Sequence, residues 1–407
     1  MKLLISAQPG ELRAAWIDDG RLVDLTIQRD DHPSRLGEIH LGRVAAVDRS
    51  LGAAFVDLGL ERPGFLPLSE APGAKLVEGA TIIVRVLRDG AVGKGPRLTA
   101  RLIDPPPDLE DLVGDAKPPC RLVPGSDPMT RLMASEGLPE EVVIDHGETF
   151  QALRARAAAL RPDLSERLSL DQGAEPLFER ERLDPGGETV EAAIEALLDP
   201  RVPLPSGGLL WIEPTHGLVA IDVDSGGQAA GDAEALARAV DLEAAAEIPR
   251  QLRLRALSGQ IVIDFLELKD PRDRKRVVAR LREGLKGDRE PGRVQAVAAS
   301  GLVAMTRRRG APALHEILTA PCGDGGSGRR KTAATLAFEA VRALRQAAGE
   351  MPGAALTLKA PPGVLAALDG TAGQARAELE SRLGRKIALV PTDGETARDY
   401  EVIAAKP

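Results

Sequence analysis

Aromatic side chains make up only 2% of these 407 residues, as two Trp, one Tyr and six Phe. That scarcity excludes a surface paved with base-stacking rings and makes any displayed ring informative. Cysteine is scarcer still, and Cys120 and Cys322 build no disulfide framework. No uninterrupted apolar stretch reaches membrane-spanning length and no secretory leader is legible, so the expectation is a cytoplasmic protein. Positive charge is in deficit, with 53 Lys and Arg against 61 Asp and Glu and a net charge of -8. This balance argues against a protein that coats nucleic acid indiscriminately. It does not exclude a local basic channel, because acids concentrate in stretches such as "DPPPDLEDLVGD" and "LFERERLDPGGETVEAAIEALLD". With 43% hydrophobic residues and 42 glycines, the chain can bury a sizeable core in two or three domains.

What is present is a pair of carboxylates set in apolar runs, Asp222 in "GLVAIDVDSGG" and Asp264 in "GQIVIDFLELKD", with a long helical stretch between them. Both runs alternate too little for a half-wet strand and read as buried central strands ending in a charge. Asp222 and Asp224 are two apart and share one face of a strand. If Asp264 lies on a neighbouring strand, three carboxylates converge, and magnesium takes a few carboxylate oxygens while keeping several waters. The plainer alternative is two strands that end in aspartates at a solvent-exposed rim. Glycines at 217, 226, 227 and 259 let backbone or ligand approach these ends closely. Residues 271–310 then hold twelve Lys or Arg against four acids, a positive belt suited to a phosphodiester backbone.

The first thirty residues read as three short strands joined by "QPGE" and "DDG" turns. Residues 36–103 hold five strand-like runs between glycine-bearing turns, the pattern of a small closed barrel. Phe55, beside Ala53 and Ala54, reads equally as core or as a stacking ring; Phe65, after a Pro-Gly turn, reads as displayed. Lys94 in "VGKGPRLT" is a candidate phosphate contact or simply a solvated lysine. A Pro/Asp-rich linker spans 104–117, and α/β alternation follows over 118–200, where Cys120, Asp145 and His146 read as structural or surface residues. From 201 onward the pattern predicts strands, a helix over 232–257 that Pro249 should kink or divide, and a basic helix over 271–290. Residues 331–407 read as a small α/β packing or oligomerisation domain.

"RVPLPSGG", "GLVAIDVDSGG", "DLEAAAEIPRQLRLRALSGQIVIDFLEL" and "SGLVAMTRRR" resemble the catalytic domain of the ribonuclease E/G family, and "GRVAAVDRSLGAAFVDLGLERPGFLPL" resembles its inserted S1 domain. The resemblance implies a multidomain α/β fold. An RNase H-like domain (1–35 and 118–200) would carry an S1 (OB-fold) barrel at 36–103 and a linker at 104–117. A DNase I-like catalytic domain (201–310), a zinc-link region (311–330) and a small C-terminal domain (331–407) would follow. It implies Mg2+-dependent endonucleolytic cleavage of single-stranded RNA by activated water, with Mn2+ as a substitute ion, leaving 5′-phosphate and 3′-hydroxyl ends. The matching metal ligands are Asp222 and Asp264. Asp224, counted with Asp222 and Asp264 as catalytic, stands where the family usually has an asparagine that orients an aspartate or the metal-bound water; the swap keeps the acceptor and adds charge. The family's RNA-contacting aromatics match Phe55 and Phe65, and its lysine matches Lys94.

Two departures from the family pattern are legible. After the barrel the chain runs through "DPPPDLEDLVGDAKPP", with neither of the Arg-rich segments of the family's 5′-monophosphate sensor, so entry at internal sites is expected. The zinc link is degenerate: "APCGDGGSGRR" keeps Cys322 but has Gly325 where the second thiolate belongs. Four ligands are needed for a shared tetrahedral site. Cys322 from each of two subunits supplies two, and His315 would reach only if the loop folded back. A zinc-bridged tetramer is therefore not expected, while a homodimer on other surfaces remains open. The rival readings are a non-catalytic RNA-binding protein that retains the fold and a metal-dependent nuclease acting on DNA.

Overall fold

A computed structural model of the chain describes all residues except 74–75, 91–93, 103–107, 115, 126–128, 130–131, 133–136, 174, 228–232, 299–300, 323–327, 393–399 and 406–407. The architecture is multidomain α/β with a closed barrel, in two compact units. One comprises residues 1–32, 135–308 and 313–407, and the other 33–134 with 309–312.

In the barrel unit the strands Ile39–Asp48, Ala53–Asp57, Gly64–Pro67, Arg97–Thr99 and Thr81–Arg88 pair in a circuit that returns to Ile39–Asp48, giving five strands without a free edge. Ile39–Asp48 closes the circuit by bending between two partners. At Gly42 a Cβ would stand 2.4 Å from Val56 Cγ1, so the bend requires glycine. Val56, Leu58, Leu66, Val84, Val86 and Leu98 fill the interior. Strand Cys120–Val123, expected with the α/β region that follows, instead pairs antiparallel with Ile39–Asp48. The Pro-rich stretch before it marks a connector within the barrel unit, and a four-residue run carries no sequence signal for its partner.

The larger unit holds three main sheets. Lys2–Gln8, Glu11–Asp18 and Arg21–Arg29 form the antiparallel meander read from their turns. Glu141–Ile144 adds parallel to the first strand and Leu168–Leu170 parallel to it in turn. A C-terminal sheet of Ala388–Pro391, Ala355–Ala360 and Glu401–Ala405 packs beneath helix Ala333–Glu350.

The central sheet runs Arg201–Pro203, Leu209–Pro214, Val219–Asp224, Gly259–Asp264, Leu302–Arg307, Gly292–Val297. Its one parallel pair, Val219–Asp224 with Gly259–Asp264, needs a crossover, and helix Ala233–Leu254 provides it. That helix is continuous through the buried Pro249 and presents Val240, Ala244, Ile248 and Leu252 at i, i+4 spacing. Helix Pro271–Gly284 joins it on the same side, started by Pro271 and by the Asp270 carboxylate, which accepts from the Arg272 N–H at 2.8 Å. Against these helices the sheet buries Ile221, Val223, Ile261, Ile263, Val303 and Met305.

The opposite face of the sheet is open. Asp222, Asp224 and Asp264 are exposed, so the two strands are half-wet, in contrast to the expectation of strands buried on both faces. Ala220 and Val262 occupy open-face positions and made each run read as continuously apolar. Truncating the buried face at its centre, Ile263→Ala, should cost about 2–5 kcal/mol through lost transfer energy and the cavity left behind; a urea midpoint within error of the unmodified chain would contradict this packing.

Candidate active site and nucleic-acid interface

Parallel pairing fixes the heart of the site. Asp222 is the direct register partner of Asp264, on adjacent strands about 4.8 Å apart. Alternation puts Asp224 on the same face one step along, beside Leu209 of the next strand. The Asp224 Oδ1 accepts from the Gly226 N–H at 2.9 Å, which commits one of its oxygens to the turn that follows. Gly226 holds φ at 76°, and a Cβ there would lie 2.0 Å from the Gly207 carbonyl oxygen, so two glycine turns close on each other at this corner. Added Cβ atoms at Gly217, Gly227 and Gly259 would meet open space, so close approach is a property of Gly226 alone among the four.

The electrostatics follow from this register. Partial burial raises the Asp222 carboxyl above its ordinary value, and the like charges of Asp264 and Asp224 raise it further. A cation relieves that repulsion. Among the described residues, no group of three or more His, Cys, Asp or Glu side chains gathers closely enough to hold a metal ion. The register instead offers a two-carboxylate cradle, a donor set that suits a magnesium ion retaining water and sharing substrate oxygens.

Asp241 escaped the reading of the sequence, where it looks like one more acid on an amphipathic helix. It is fully buried beneath the site, its Oδ1 accepts from the Leu266 N–H at 3.0 Å, and its Oδ2 has no hydrogen-bond partner among the described residues. Burial pushes its carboxyl up to about 7. Through Leu266 it pins the chain as it leaves Asp264.

The basic belt lies elsewhere than expected. Helix Pro271–Gly284 packs on the covered side of the sheet, away from the carboxylate face. Arg307 is buried in a two-pronged pair with Asp288, with both N–H···O distances 2.8 Å, and donates to the Leu257 carbonyl at 2.7 Å. Arg289 pairs with Asp24 and stacks over Trp16, and Arg308 pairs with Glu290. Charge counts along a sequence do not record these partners. On the open face, Trp211 stands in register with Asp222, and its signal was the alternation of buried Leu210 and Ile212 around it.

On the barrel, Phe55 and Phe65 are direct partners on adjacent strands, half-buried, with ring centroids 5.9 Å apart in an edge-to-face contact. Both point opposite to the interior residues Val56 and Leu66, so they sit on the outer wall. Phe65 is in register with Arg97, and Arg97 with Arg88. Arg88 is held below its usual range, first by burial and then by the charges of Arg309 and Arg97. The grouping of Arg88, Arg97 and Arg309 was not read from the sequence, because its members lie far apart along the chain. Lys94 is exposed in the adjoining loop, which is tied to Phe65 by the Phe65 N–H donating to the Pro96 carbonyl at 2.7 Å.

Cys322 is a half-buried free thiol at the end of the hairpin Thr319–Pro321 and Arg329–Lys331, where its N–H donates to the Gly328 carbonyl at 2.9 Å. Gly325 lies outside the described residues. Cys120 is also a free thiol. Asp145 is a structural acceptor for Ser6 Oγ and the Ala7 N–H, both at 2.9 Å, and His146 caps helix Gly147–Leu160. No helix among the described residues is long and apolar enough to cross a membrane.

Comparison with known proteins adds an independent line. The sequence model described as the Ribonuclease E/G family matches residues 111–310. Ribonuclease E of Escherichia coli (strain K12) is 31% identical over 403 residues, covering 77% of this chain and 37% of that protein. Ribonuclease E of Haemophilus influenzae is 30% identical over 402 residues, covering 77% of this chain and 42% of that protein. The chain thus spans about two fifths of the length of these relatives. Ribonuclease G of Salmonella typhimurium is 26% identical over 477 residues, covering 95% of this chain and 96% of that protein.

The buried acid has a measurable signature. The folded state holds the Asp241 proton more tightly than the unfolded chain, so its stabilising contribution is complete below about pH 4 and is lost as pH rises through about 7. Asp241→Asn should flatten stability against pH across that window, by on the order of 4 kcal/mol between its ends. Parallel profiles for the two proteins in chemical denaturation would show that the carboxyl titrates normally.

Proposed function

With homology supporting membership of the ribonuclease E/G family, we propose that this chain is an endoribonuclease that cleaves single-stranded RNA at the open face carrying Asp222 and Asp264. The observation that carries the reading is the register pairing of those two carboxylates on an exposed sheet face, where their like charges raise the Asp222 carboxyl and a bound cation would offset the repulsion.

Asp222 and Asp264 would hold Mg2+, with Mn2+ as a substitute. Bound there, the ion supplies Lewis acidity toward a phosphate oxygen and makes water a better nucleophile at neutral pH. Asp264 is held in place from below, because Asp241 fixes the backbone two residues further on. Asp224 steadies the end of its strand through Gly226. Hydrolysis breaks the P–O3′ bond, so that water's oxygen stays on phosphorus as the 5′-phosphate and the 3′-oxygen leaves with a proton as the hydroxyl. The larger unit then corresponds to RNase H-like, DNase I-like and small C-terminal domains. The barrel corresponds to an inserted S1 (OB-fold) domain whose Phe55, Phe65 and Lys94 contact RNA, joined by Arg88 and Arg97. Entry is independent of the 5′ end, because residues 104–117 carry no Arg-rich sensor segment. The zinc link is lost, since Gly325 replaces a thiolate, which leaves a homodimer on other surfaces as the assembly compatible with the sequence.

Asp264→Asn should lower cleavage of a single-stranded RNA by more than about a hundredfold, beyond the range that outer-shell losses reach, while leaving RNA affinity within a fewfold. Cleavage at the original rate would reject the nuclease site, and intact binding without cleavage by the unmodified chain would favour a non-catalytic RNA-binding protein. A matched DNA strand cut in preference to RNA would assign the activity to DNA. On the barrel, Phe65→Ala should weaken single-strand binding by roughly 1–3 kcal/mol. Replacing Arg88 and Arg97 by Ala should lower the slope of log K against log salt by about 0.7 for each phosphate that the arginines neutralise. An unchanged slope would remove both arginines from the interface.

A further inference from the structure

The register of the central sheet places more than two acids in line. Across five strands, Arg201, Trp211, Asp222, Asp264 and Leu302 are successive direct partners. They share one face, since paired residues of adjacent strands project to the same side. The acids are therefore bracketed by apolar side chains, Trp211 on one side and Leu302, 41% exposed, on the other. Trp211 is one of only two tryptophans in a chain with 2% aromatics, and it is half-buried beside the charge pair. The inner contacts of its strand are made by Leu210 and Ile212, both buried in the core.

We propose that Trp211 is a substrate-positioning residue on which a nucleobase flanking the cleaved phosphodiester stacks. This rests on the reading of Asp222 and Asp264 as the cleavage site. The order apolar, acid, acid, apolar across the sheet matches the order base, phosphate with its cation, base along a strand of RNA. A phosphate held over the carboxylates puts a neighbouring base one strand spacing away, about 4.8 Å, over the indole. Stacking accepts every base because each has a π face, so Trp211 fixes the position of the cut relative to the strand and imposes little sequence preference.

The test uses the two tryptophans separately. In a Trp16→Phe background Trp211 is the sole indole, and Asp264→Asn in that background permits titration with a ten-nucleotide single-stranded RNA without cleavage. Stacking predicts saturable quenching of the indole emission. In otherwise intact protein, Trp211→Ala should raise KM for the same RNA about tenfold with kcat within threefold, as removal of one stacked base implies, and Trp211→Phe should restore most of the effect. Cleavage with unchanged KM and an indole that ignores RNA would overturn the proposal and leave the nuclease standing. Quenching without cleavage by the unmodified chain would reject the nuclease and keep the stacking interaction. Emission that follows protein concentration and not RNA would assign Trp211 to an interface with a second copy of the chain, against the proposal.

Discussion

The parallel pairing of Val219–Asp224 with Gly259–Asp264 is the constraint from which the site follows. Two parallel neighbours cannot be joined by a hairpin, so the chain must cross over. Helix Ala233–Leu254 makes that crossing and buries its Val240, Ala244, Ile248 and Leu252 stripe against Ile221, Val223, Ile261 and Ile263. A slip of one residue in either strand would turn its aspartate into that core. The hydrophobic stripe therefore sets the register, and the register sets two negative charges opposite each other on the open face. The buried Asp241, bonded to the chain just past Asp264, lies at the same junction.

Repulsion between Asp222 and Asp264 is retained in an architecture that could relieve it with any neutral pair. Its visible consequence is an Asp222 carboxyl raised by burial and by its neighbours' charge. On the proposed reading, a divalent ion would turn the same arrangement from a cost into a binding site. The barrel unit solves a different problem: it displays two of the chain's few rings edge to face, next to Arg88, which burial and then the charges of Arg309 and Arg97 hold below its usual range. On the proposed reading, one unit would engage a phosphate and a cation, and the other bases and phosphates.

Much of this is legible in the sequence. The meander at the N-terminus, the five barrel strands, the crossover helix and the two aspartates all follow from turn residues, periodicity and charge at strand ends. What is illegible there is long-range. The open face is hidden because Ala220 and Val262 are apolar, so a one-sided sheet reads as a two-sided one. The basic helix is misplaced because charge density along the chain does not say which layer a helix joins, nor that Arg289, Arg307 and Arg308 already have partners. Trp211 draws no notice because its meaning comes from the strand beside it. The partnership of Cys120–Val123 with the barrel likewise depends on pairing across more than seventy positions, which local sequence does not encode.

The most direct test of the central claim is Mn2+ binding, followed by electron paramagnetic resonance, to the unmodified chain, to Asp222→Asn and to Asp264→Asn, without RNA and without reference to activity. A shared carboxylate cradle predicts one bound ion that is lost in both single variants, because neither aspartate alone holds it. Undiminished binding in either variant would contradict the claim that the paired strands exist to bring these two carboxylates onto one ion.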